Sequence, residues 1–470
     1  MRDVRALEAH LQALYEKKKI PGISVAAIGP NGEAFLRGYG HRDAAGALPC
    51  DADTIHGLAS MSKSQVTLAI SMLEEEGRVS FDDPVYRYFP NFVIPGTPRD
   101  AVTLRHLAMH TSGLPPIEPL EWSIAMHTLK RDGDWIEKLR ATAPNAMATI
   151  DQIIDYIATC GYPSLGAPGE YMSYSNEGYA LLSYVVDQAA GISLEEFLNE
   201  RVYAPLGMTR TVLDIDGSEA VARAGGNITS LFEREGEGFT CDDEWSVLPP
   251  YRGCGLVKST AKDIATYYQC LSNYGLHNGR QVIPRGAVER LIGAGFPTQK
   301  ASVYCYGLYK RAKAGHVICE HSGALHGTSS HGGLLLGEGW GFAALCNCGD
   351  EDVDQFVWAM YNWAAGLPLD TSHRWFAPVG RDFSDPQMVE GTYRAHEGLP
   401  ADVTVAQENG QLIALKDEKR LPLTYCGGTL FAAFDENGDC PLRMEAFIRD
   451  GHAWGVKCGS RIYQRVNSPG

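Results

Sequence analysis

The sequence has little positive charge and no long apolar run. Its 41 lysines and arginines stand against 57 aspartates and glutamates, which gives a formal net charge of −16. Nucleic acids and anionic membranes bind clustered lysine and arginine, so this balance argues against both as partners. No stretch of 18 apolar residues occurs. The sequence therefore predicts no transmembrane helix.

The first residues also lack the apolar segment that a secretion signal needs. Val4, Leu7, Leu11 and Leu14 share one face of a predicted helix and alternate with charged residues. We therefore expect a cytoplasmic protein. The 12 cysteines include no paired C-x₂-C motifs, and the pair in Cys346-Asn347-Cys348 has no second pair to complete a metal site. We expect free thiols, no metal and no cofactor.

One stretch, from Gly57 to Gln65, places a serine and a lysine three residues apart at a predicted helix start. Residues at this spacing share a helix face, with Cβ atoms about 5–6 Å apart, so Lys63 can reach the Ser60 hydroxyl. Free backbone N–H groups in a first helical turn favour negative charge, which suits a nucleophile that carries an oxyanion.

The same spacing occurs by chance in a chain of this length. Ser259 and Lys262 repeat this spacing, but Thr260 and Asp263 between and beside them have the spacing of a capping box. We therefore interpret this stretch as a helix start with no catalytic role. The Ser60 hypothesis therefore needs support from elsewhere in the sequence.

Tyr174-Ser175-Asn176 is the only Y-x-N among 22 tyrosines. Tyr174 can shuttle a proton, and Asn176 can contact a substrate carbonyl or Lys63. A turn with a buried tyrosine and a helix-capping asparagine is the alternative interpretation. His110, in a Thr-Ser-Gly turn, is interpreted as a structural residue rather than a proton carrier.

His321, His326 and His331 lie five residues apart, a spacing that brings neither strand nor helix side chains together around a metal. The glycines between them indicate instead a strand that another backbone or a ligand approaches closely. Acidic residues between Gly225 and Arg252 indicate a solvated surface loop, with a pocket wall as the alternative.

At 470 residues the chain is too long for one core, and it changes character near its end. Ile23–Ile28 and Phe35–Gly40 are predicted as antiparallel strands around Pro30-Asn31-Gly32. Between Pro115 and Ala148 clear periodicity is lost, which is typical of a lid, a binding wall or a mobile segment. After residue 370, short apolar runs alternate with turn dipeptides such as Asn409-Gly410, Asn437-Gly438 and Asp450-Gly451. We predict domains at 1–370 and 371–470.

Three motifs together resemble those of the serine β-lactamase and penicillin-binding-protein superfamily, in its class C and D-peptidase branch. They are Ser60/Lys63, Tyr174-Ser175-Asn176 and His321-Ser322-Gly323, and the resemblance includes their order and their neighbouring residues. Flanking text such as His110-Thr111-Ser112-Gly113 and Pro205-Leu206-Gly207-Met208 extends the resemblance over about 21–365. It implies an α+β fold, with an antiparallel sheet flanked by helices, an all-helical subdomain and the active site between them. The C-terminal segment resembles the small antiparallel β domains, barrel-like, of several such hydrolases.

The resemblance also implies roles for particular residues. Ser60 would be the acylated nucleophile, Lys63 its proton partner, Tyr174 the second acid/base and Asn176 a substrate contact. The backbone N–H groups of Ser60 and Ala324 would form the oxyanion hole. His321, Gly323 and Ala324 would bind substrate from the strand beside the site. No metal or cofactor is required.

His321 departs from the Lys-Thr-Gly of classical β-lactamases and cell-wall peptidases, where the lysine meets the substrate carboxylate. His-x-Gly is similar to D-aminopeptidase and D-amino-acid amidase members. We therefore expect a hydrolase of small amides, short D-peptides or esters, acting without a partner other than its substrate, with a homo-oligomer left open. A carboxylesterase or acyltransferase with at most weak β-lactamase activity is one alternative. A non-catalytic binding or scaffold protein on this fold is the other. An α/β-hydrolase is disfavoured because no G-x-S-x-G occurs.

Overall fold

An eight-stranded antiparallel sheet is the framework of one of the two compact units in the computed structural model. The structure describes residues 2–127, 134–143, 147–298, 302–374, 376–417, 419–435 and 440–466. The first unit comprises Met1–Asp83, His127–Lys130 and Tyr179–His373, and the second comprises Pro84–Met126, Arg131–Gly178 and Arg374–Gly470. The boundary at Gly178 falls inside the helix Asn176–Ala190.

The sheet of the first unit joins strands from both ends of that unit's sequence. Their order is Phe296–Pro297, Ser302–Tyr304, Tyr309–Lys313, His316–Leu325, Thr328–Leu335, Trp340–Cys346, Gly22–Ile28 and Ala34–Gly40. Gly22–Ile28 is buried along nearly its whole length, which explains why its apolar residues do not alternate with polar ones. The predicted antiparallel pair at the start of the chain is confirmed.

Helices cover both faces of this sheet. Phe342 packs with the helices Val4–Lys18 and Asp354–Ala365 in one apolar core. The neighbouring Gly341 faces the other way, where an added Cβ would lie 2.1 Å from a carbonyl oxygen of the helix Ala261–Ser272. The other helices of this unit are Lys63–Glu75, Leu194–Leu198, Ala204–Leu206, Ser218–Ala224, Arg252–Gly255 and Arg285–Gly293, and its 3₁₀ and π turns are Pro30–Gly32, Ala59–Ser62, Asn199–Tyr203 and Pro249–Tyr251.

Smaller sheets complete the first unit. His56–Gly57, Val257–Ser259 and Val212–Leu213 form one, Leu231–Glu235 and Gly238–Asp242 a second, and Leu276–His277 and Arg280–Gln281 a third. The acidic segment from Gly225 to Arg252, predicted as a solvated surface loop, forms a hairpin in its middle, and most of that hairpin is exposed as predicted. Only Leu231 and Phe232 of that hairpin are buried, so its acidic, exposed remainder hides the strand pattern.

The second unit contains a nine-stranded antiparallel sheet. Its order is Lys419–Pro422, Gln411–Lys416, Ala401–Glu408, Gly391–Ala395, Arg461–Arg465, His452–Cys458, Leu442–Arg449, Leu430–Ala433 and Thr424–Gly427. The two end strands are neighbours in sequence, and the sheet curls into a nearly closed barrel around an apolar core. The turns Asn409-Gly410 and Asp450-Gly451 have positive φ at both residues, as predicted from their dipeptides. Asn437-Gly438 lies outside the described residues.

Helices Leu104–Ala108, Asp134–Thr142 and Ile150–Thr159 also belong to the second unit, together with Pro119–His127 up to Met126 and the 3₁₀ turns Val85–Arg87 and Pro386–Met388. The described part of 115–148 is thus largely helical, and Trp122 and Leu139 share a small core there. Within the described ranges, no helix combines the length and the apolarity needed to cross a bilayer. The predicted domain boundary at 370/371 lies close to Arg374, where the last segment of the second unit begins.

Candidate active site

Ser60 lies in a 3₁₀ turn, Ala59–Ser62, that leads directly into the helix Lys63–Glu75. The predicted helix start is confirmed. Ala59 has a φ of +45°, in the left-handed region that a residue with a Cβ seldom adopts. The Ser62 hydroxyl ties this turn in place, because it donates to the Ala59 carbonyl at 2.7 Å and accepts from the Val257 N–H at 3.2 Å. Strained backbone of this kind persists only where its surroundings hold it, and it clusters at functional sites.

Lys63 points its amine at the serine. Its Nζ lies 3.1 Å from the Ser60 Oγ and 3.0 Å from the Cys254 carbonyl oxygen, and 5.6 Å from the centre of the Tyr179 ring. The Lys63 residue is 0% exposed, whereas Ser60 is partly exposed. A buried amine thus faces a serine hydroxyl that solvent reaches, the arrangement of a nucleophile with its proton partner.

The strand His316–Leu325 passes very close to this turn at Gly323. A Cβ on Gly323 would lie 2.4 Å from the Leu58 carbonyl oxygen and 2.8 Å from the Ser60 nitrogen. Ser330, opposite Gly323 on the next strand, donates its hydroxyl to the same Leu58 carbonyl at 2.8 Å. The prediction that glycine here marks a close backbone approach is confirmed.

The Ala324 amide lies on an open edge of this strand. Leu325 and Thr328 flank a two-residue turn, so they form a hydrogen-bonded pair of the antiparallel ladder. Pair types alternate along such a ladder, so the next pair, Ala324 and Ser329, is not hydrogen-bonded. The Ala324 N–H therefore points away from that neighbouring strand, toward the side where pairing with Tyr309–Lys313 ends at Glu320. The Ser60 N–H lies in a first helical turn and has no intrahelical acceptor. The N–H groups of Ala324 and Ser60 can therefore donate together to an oxyanion.

His321 is buried between two tyrosines. Its Nδ1 donates to the Ser322 carbonyl oxygen, so its Nε2 accepts from the Tyr304 hydroxyl, 3.2 Å away. Tyr309 lies beside it, with 5.8 Å between ring centres. Burial, with the positive charge of Lys63, lowers the pKa of His321 to about 3. The imidazole of His321 is therefore neutral.

Glu320, next to His321, points to the opposite face of the sheet into a buried polar network. It accepts from Arg311 at 2.6 Å and from His331 at 3.2 Å, and His331 also contacts Asp354 at 2.6 Å. Burial opposes the charge on His331, but the carboxylates of Asp354 and Glu320 outweigh it and raise the pKa of His331 to about 10. Burial likewise opposes ionisation of Glu320, yet Arg311 and His331 hold its pKa far below the ordinary value.

The three histidines do not converge. His326 lies at the hairpin turn and contacts Glu233 at 2.7 Å and Asp242 at 3.1 Å, while His321 and His331 have the separate partners given above. Among the described residues, no group of three or more His, Cys, Asp or Glu side chains is placed to hold a metal ion.

Ser259 and Lys262, the second pair with the same spacing, do not meet. The Ser259 hydroxyl is buried against that of Thr211 at 2.7 Å, whereas the Lys262 amine reaches Asp53 on the surface at 3.3 Å. Thr260 accepts from the Asp263 N–H at 3.0 Å and caps the helix, as predicted.

Tyr174 and Asn176 belong to the second unit, at the start of the helix Asn176–Ala190. Both are buried, at 7% exposure. The ring of His110, itself at φ +58°, lies 4.1 Å from the Tyr174 ring, and its Nδ1 accepts from the Ser175 N–H at 3.1 Å. His110 thus shapes the Tyr174 turn, as the structural interpretation predicted.

Sequence analysis missed Ala59, Arg461 and Glu397. The guanidinium of Arg461 lies 4.6 Å from the centre of the Tyr174 ring and pairs with Glu397. No local motif surrounds these residues, and they are distant from Tyr174 in sequence. The left-handed Ala59 had no signal either, since alanine is not a residue that this conformation selects.

An α+β sheet-and-helix architecture with a serine–lysine pair at a helix start defines the class C β-lactamase-like fold, here with a C-terminal, nearly closed antiparallel barrel. A class C β-lactamase structure matches 77% of this chain and 96% of its own at a TM-score of 0.60 and 18% identity. The Beta-lactamase family model matches residues 5–367, and the chain belongs to that family.

Other known proteins are similar over parts or nearly all of the chain. Penicillin-binding protein 4* of Bacillus subtilis (strain 168) is 31% identical over 206 residues, which cover 43% of this chain and 41% of that relative. The match thus spans about two fifths of the relative's length. The structure of an octameric penicillin-binding protein homologue from Pyrococcus abyssi covers 98% of this chain and 100% of its own, with a TM-score of 0.67 and 22% identity. The structure of D-amino acid amidase from Ochrobactrum anthropi SV3 covers 74% of this chain and 92% of its own, with a TM-score of 0.58 and 22% identity. At these identities the structures establish the fold alone.

Proposed function

We propose that this protein is a serine hydrolase that works through an acyl-enzyme on Ser60. The observation that carries the proposal is the 3.1 Å contact between the Lys63 Nζ and the Ser60 Oγ, with the amine buried and the hydroxyl partly exposed. Membership of the Beta-lactamase family supports it, as does the close approach of Gly323 to the serine turn. A scaffold protein would have no need of this pair or of the strained Ala59 beside it.

In the first half-reaction, the Ser60 Oγ attacks the substrate carbonyl carbon and its proton passes to a neutral Lys63 amine. The carbonyl π electrons move to oxygen, where the N–H groups of Ser60 and Ala324 stabilise the charge. Collapse of this intermediate breaks the bond to the leaving amine or alcohol, which takes a proton from the Tyr174 hydroxyl. Water then attacks the ester on Ser60 by the reverse proton path and releases the acid.

We further propose that small amides, short D-peptides and esters are better substrates than penicillins. A neutral, buried His321 offers no cation to a substrate carboxylate, which penicillins and D-Ala-D-Ala peptides both carry. A charge-assisted contact contributes roughly 1.5–3 kcal/mol, so its loss costs those substrates about ten- to a hundredfold. The structural likeness to a D-amino acid amidase is consistent with this proposal.

The test is to incubate the protein with D-amino amides, p-nitrophenyl esters and penicillins while intact mass and product are followed. One acyl adduct on the Ser60 peptide is expected, lost in Ser60→Ala and retained in Ser259→Ala, the matched serine whose lysine points elsewhere. Labelling that persists undiminished in Ser60→Ala would refute the nucleophile. Penicillins as the best substrates by kcat/KM would refute the substrate class.

We propose a cytoplasmic location as well, supported by the twelve cysteines, which are all free thiols. A homo-oligomer is proposed only because a full-length structural relative is octameric. Cell fractionation and light scattering test these two points.

A further inference from the structure

A turn of the C-terminal segment holds the backbone of Tyr174. The Tyr174 N–H donates to the Ser460 carbonyl oxygen at 2.9 Å, and the Ile462 N–H donates to the Ser173 hydroxyl at 3.2 Å. All four residues belong to the second unit. The turn between the strands His452–Cys458 and Arg461–Arg465 is thereby bonded to the Tyr174 backbone, and the start of the second strand is bonded to the side chain of the preceding Ser173.

Arg461, the first residue of the strand after this turn, places a positive charge over the Tyr174 ring. Its guanidinium carbon lies 4.6 Å from the ring centre. The carboxylate of Glu397 accepts two hydrogen bonds from Arg461, at 2.6 and 2.7 Å, which fixes the plane of the guanidinium. Only about a quarter of each of these two side chains is exposed, 26% for Arg461 and 24% for Glu397. The contact is therefore held in a partly desolvated place, where a cation–π contact is stronger than on an open surface.

Two further titratable groups described near Tyr174 and Arg461 in this unit, His110 and Glu177, bring no second positive charge. His110 has its ring 4.1 Å away, but its Nδ1 accepts a hydrogen bond from the Ser175 N–H and so carries no proton. Glu177 follows two residues after Ser175, receives the hydrogen bond of the Ser175 hydroxyl at 2.9 Å, and with Glu397 adds negative charge near Arg461. Arg461 thus acts against two carboxylates and beside a neutral imidazole.

We propose that Arg461 is a positioning residue for Tyr174: it clamps the ring through Glu397, and its charge stabilises the phenolate form that accepts a proton. The inference rests on the proposed function, in which Tyr174 is the second acid/base. It gives the C-terminal β domain a part in the chemistry that one arginine exerts through Tyr174. A cation within about 4–6 Å of an acid lowers its pKa by one to three units, and Glu397 cancels part of this, so an effect near one unit is expected.

The test measures Tyr174 directly. Protein with ¹³Cζ-labelled tyrosine is titrated by NMR in a Ser60→Ala background, and the Tyr174 signal is assigned by its loss in Tyr174→Phe. Arg461→Met should raise the Tyr174 phenol pKa by about one unit, Arg461→Lys by less, and Glu397→Gln should lower it because the opposing charge is gone. Arg465→Met is the matched control, since that arginine lies on the same strand, 5.2 Å from the ring of Tyr393. It should leave the Tyr174 titration unchanged.

A second readout is the pH profile of kcat/KM on an activated ester with Ser60 intact. The limb that titrates with Tyr174 should move by the same amount and in the same direction as the NMR value in each variant. An unchanged Tyr174 titration in folded Arg461→Met, or equal shifts in Arg465→Met, would overturn the proposal. If Arg461→Met fails to fold, the opposite shifts expected of Arg461→Lys and Glu397→Gln still decide it. NMR shifts in a protein that hydrolyses nothing would refute the proposed function and leave the electrostatic contact standing.

Discussion

Gly323 has no room for a side chain, because its Cβ would meet two backbone atoms, the Leu58 oxygen and the Ser60 nitrogen, at 2.4 and 2.8 Å. Both are backbone atoms, so neither can move away from the added methyl group as the end of a flexible side chain could. Gly323→Ala should therefore push the strand from the serine turn and lower the acylation rate about a hundredfold, the usual cost of a misplacement near 1 Å.

The matched control for this change is Gly293→Ala, since that glycine has ordinary φ and open space around its Cβ position. Burst kinetics with a p-nitrophenyl ester give the acylation rate, and circular dichroism verifies the fold. Acylation at the wild-type rate in a folded Gly323→Ala protein would show that the strand does not set the serine's position.

His321 should stay neutral throughout the working range of the protein. Its pKa, lowered to about 3 by burial and by the charge of Lys63, lies well below pH 5. The ratio of kcat/KM for an amide to that for a penicillin should therefore not change between pH 5 and 8 through this residue. His321→Lys should shift the ratio toward carboxylate-bearing substrates by about ten- to a hundredfold. A wild-type ratio that changes tenfold across this range would contradict the assignment.

Residues that act with near neighbours in sequence were predictable, and residues that act across the chain were not. Ser60 and Lys63 are three apart, so helix geometry alone brings them together. The Tyr174–Arg461 contact depends on a barrel turn meeting the Tyr174 turn, and no spacing rule connects the two. The low pKa of His321 could not be predicted from the sequence either, because burial in the fold is its largest cause.

At the level of elements, three strands and a helix share a charged network that links stability to pH. His331, on the strand Thr328–Leu335, bridges Glu320 and Asp354, and its pKa is raised to about 10 in the fold against about 6.5 unfolded. A raised pKa means that its contribution is complete below pH 6.5 and is lost as pH rises toward 10. Between these values the free energy of unfolding should fall by about 1.4 kcal/mol per pH unit through this one group.

His331→Gln should remove that slope and destabilise the protein by at most about 3–5 kcal/mol at pH 6, because the buried carboxylate of Glu320 keeps only Arg311 and the partly exposed carboxylate of Asp354 loses His331. Urea unfolding at several pH values measures both the free energy of unfolding and its slope against pH. His316→Gln, on the neighbouring strand, breaks a pair with Glu338 that is 25–35% exposed and is the matched control. Equal pH slopes in wild type and His331→Gln would show that His331 is not the linked group.

Capping boxes and hairpin dipeptides predicted elements well because each is a local hydrogen-bond pattern. Thr260 caps the helix Ala261–Ser272 through the predicted Asp263, and Asn409-Gly410 makes its hairpin. The helices within 115–148 were missed since their apolar residues follow no clear helical period. Leu231–Glu235 was missed because most of that hairpin is exposed, so only one end of it carries the apolar signal.

On the scale of the whole chain, the barrel is part of the second unit rather than a removable appendage. Tyr171 packs edge-on against Phe447 and Trp454, with ring centres 5.3 and 4.9 Å apart. A chain ending at residue 373 should therefore expose this aromatic face and lose solubility. Full-length Trp454→Leu, which removes one ring, should stay soluble. Soluble fraction and near-ultraviolet circular dichroism measure the outcome, and a soluble, folded shortened chain would contradict it.

The turn that seats Tyr174 has a consequence for biosynthesis. Its hydrogen bond from Ile462 to Ser173 joins residues 289 positions apart, and chains are made from the N-terminus onward. The candidate nucleophile and its lysine leave the ribosome long before Ile462, yet the proposed acid/base cannot be held in place until Ile462 has emerged. A ribosome that stalls between Tyr174 and Ile462 would release a polypeptide carrying Ser60 without a seated Tyr174. The order of synthesis thus delays hydrolytic competence until the strand Arg461–Arg465 has been made.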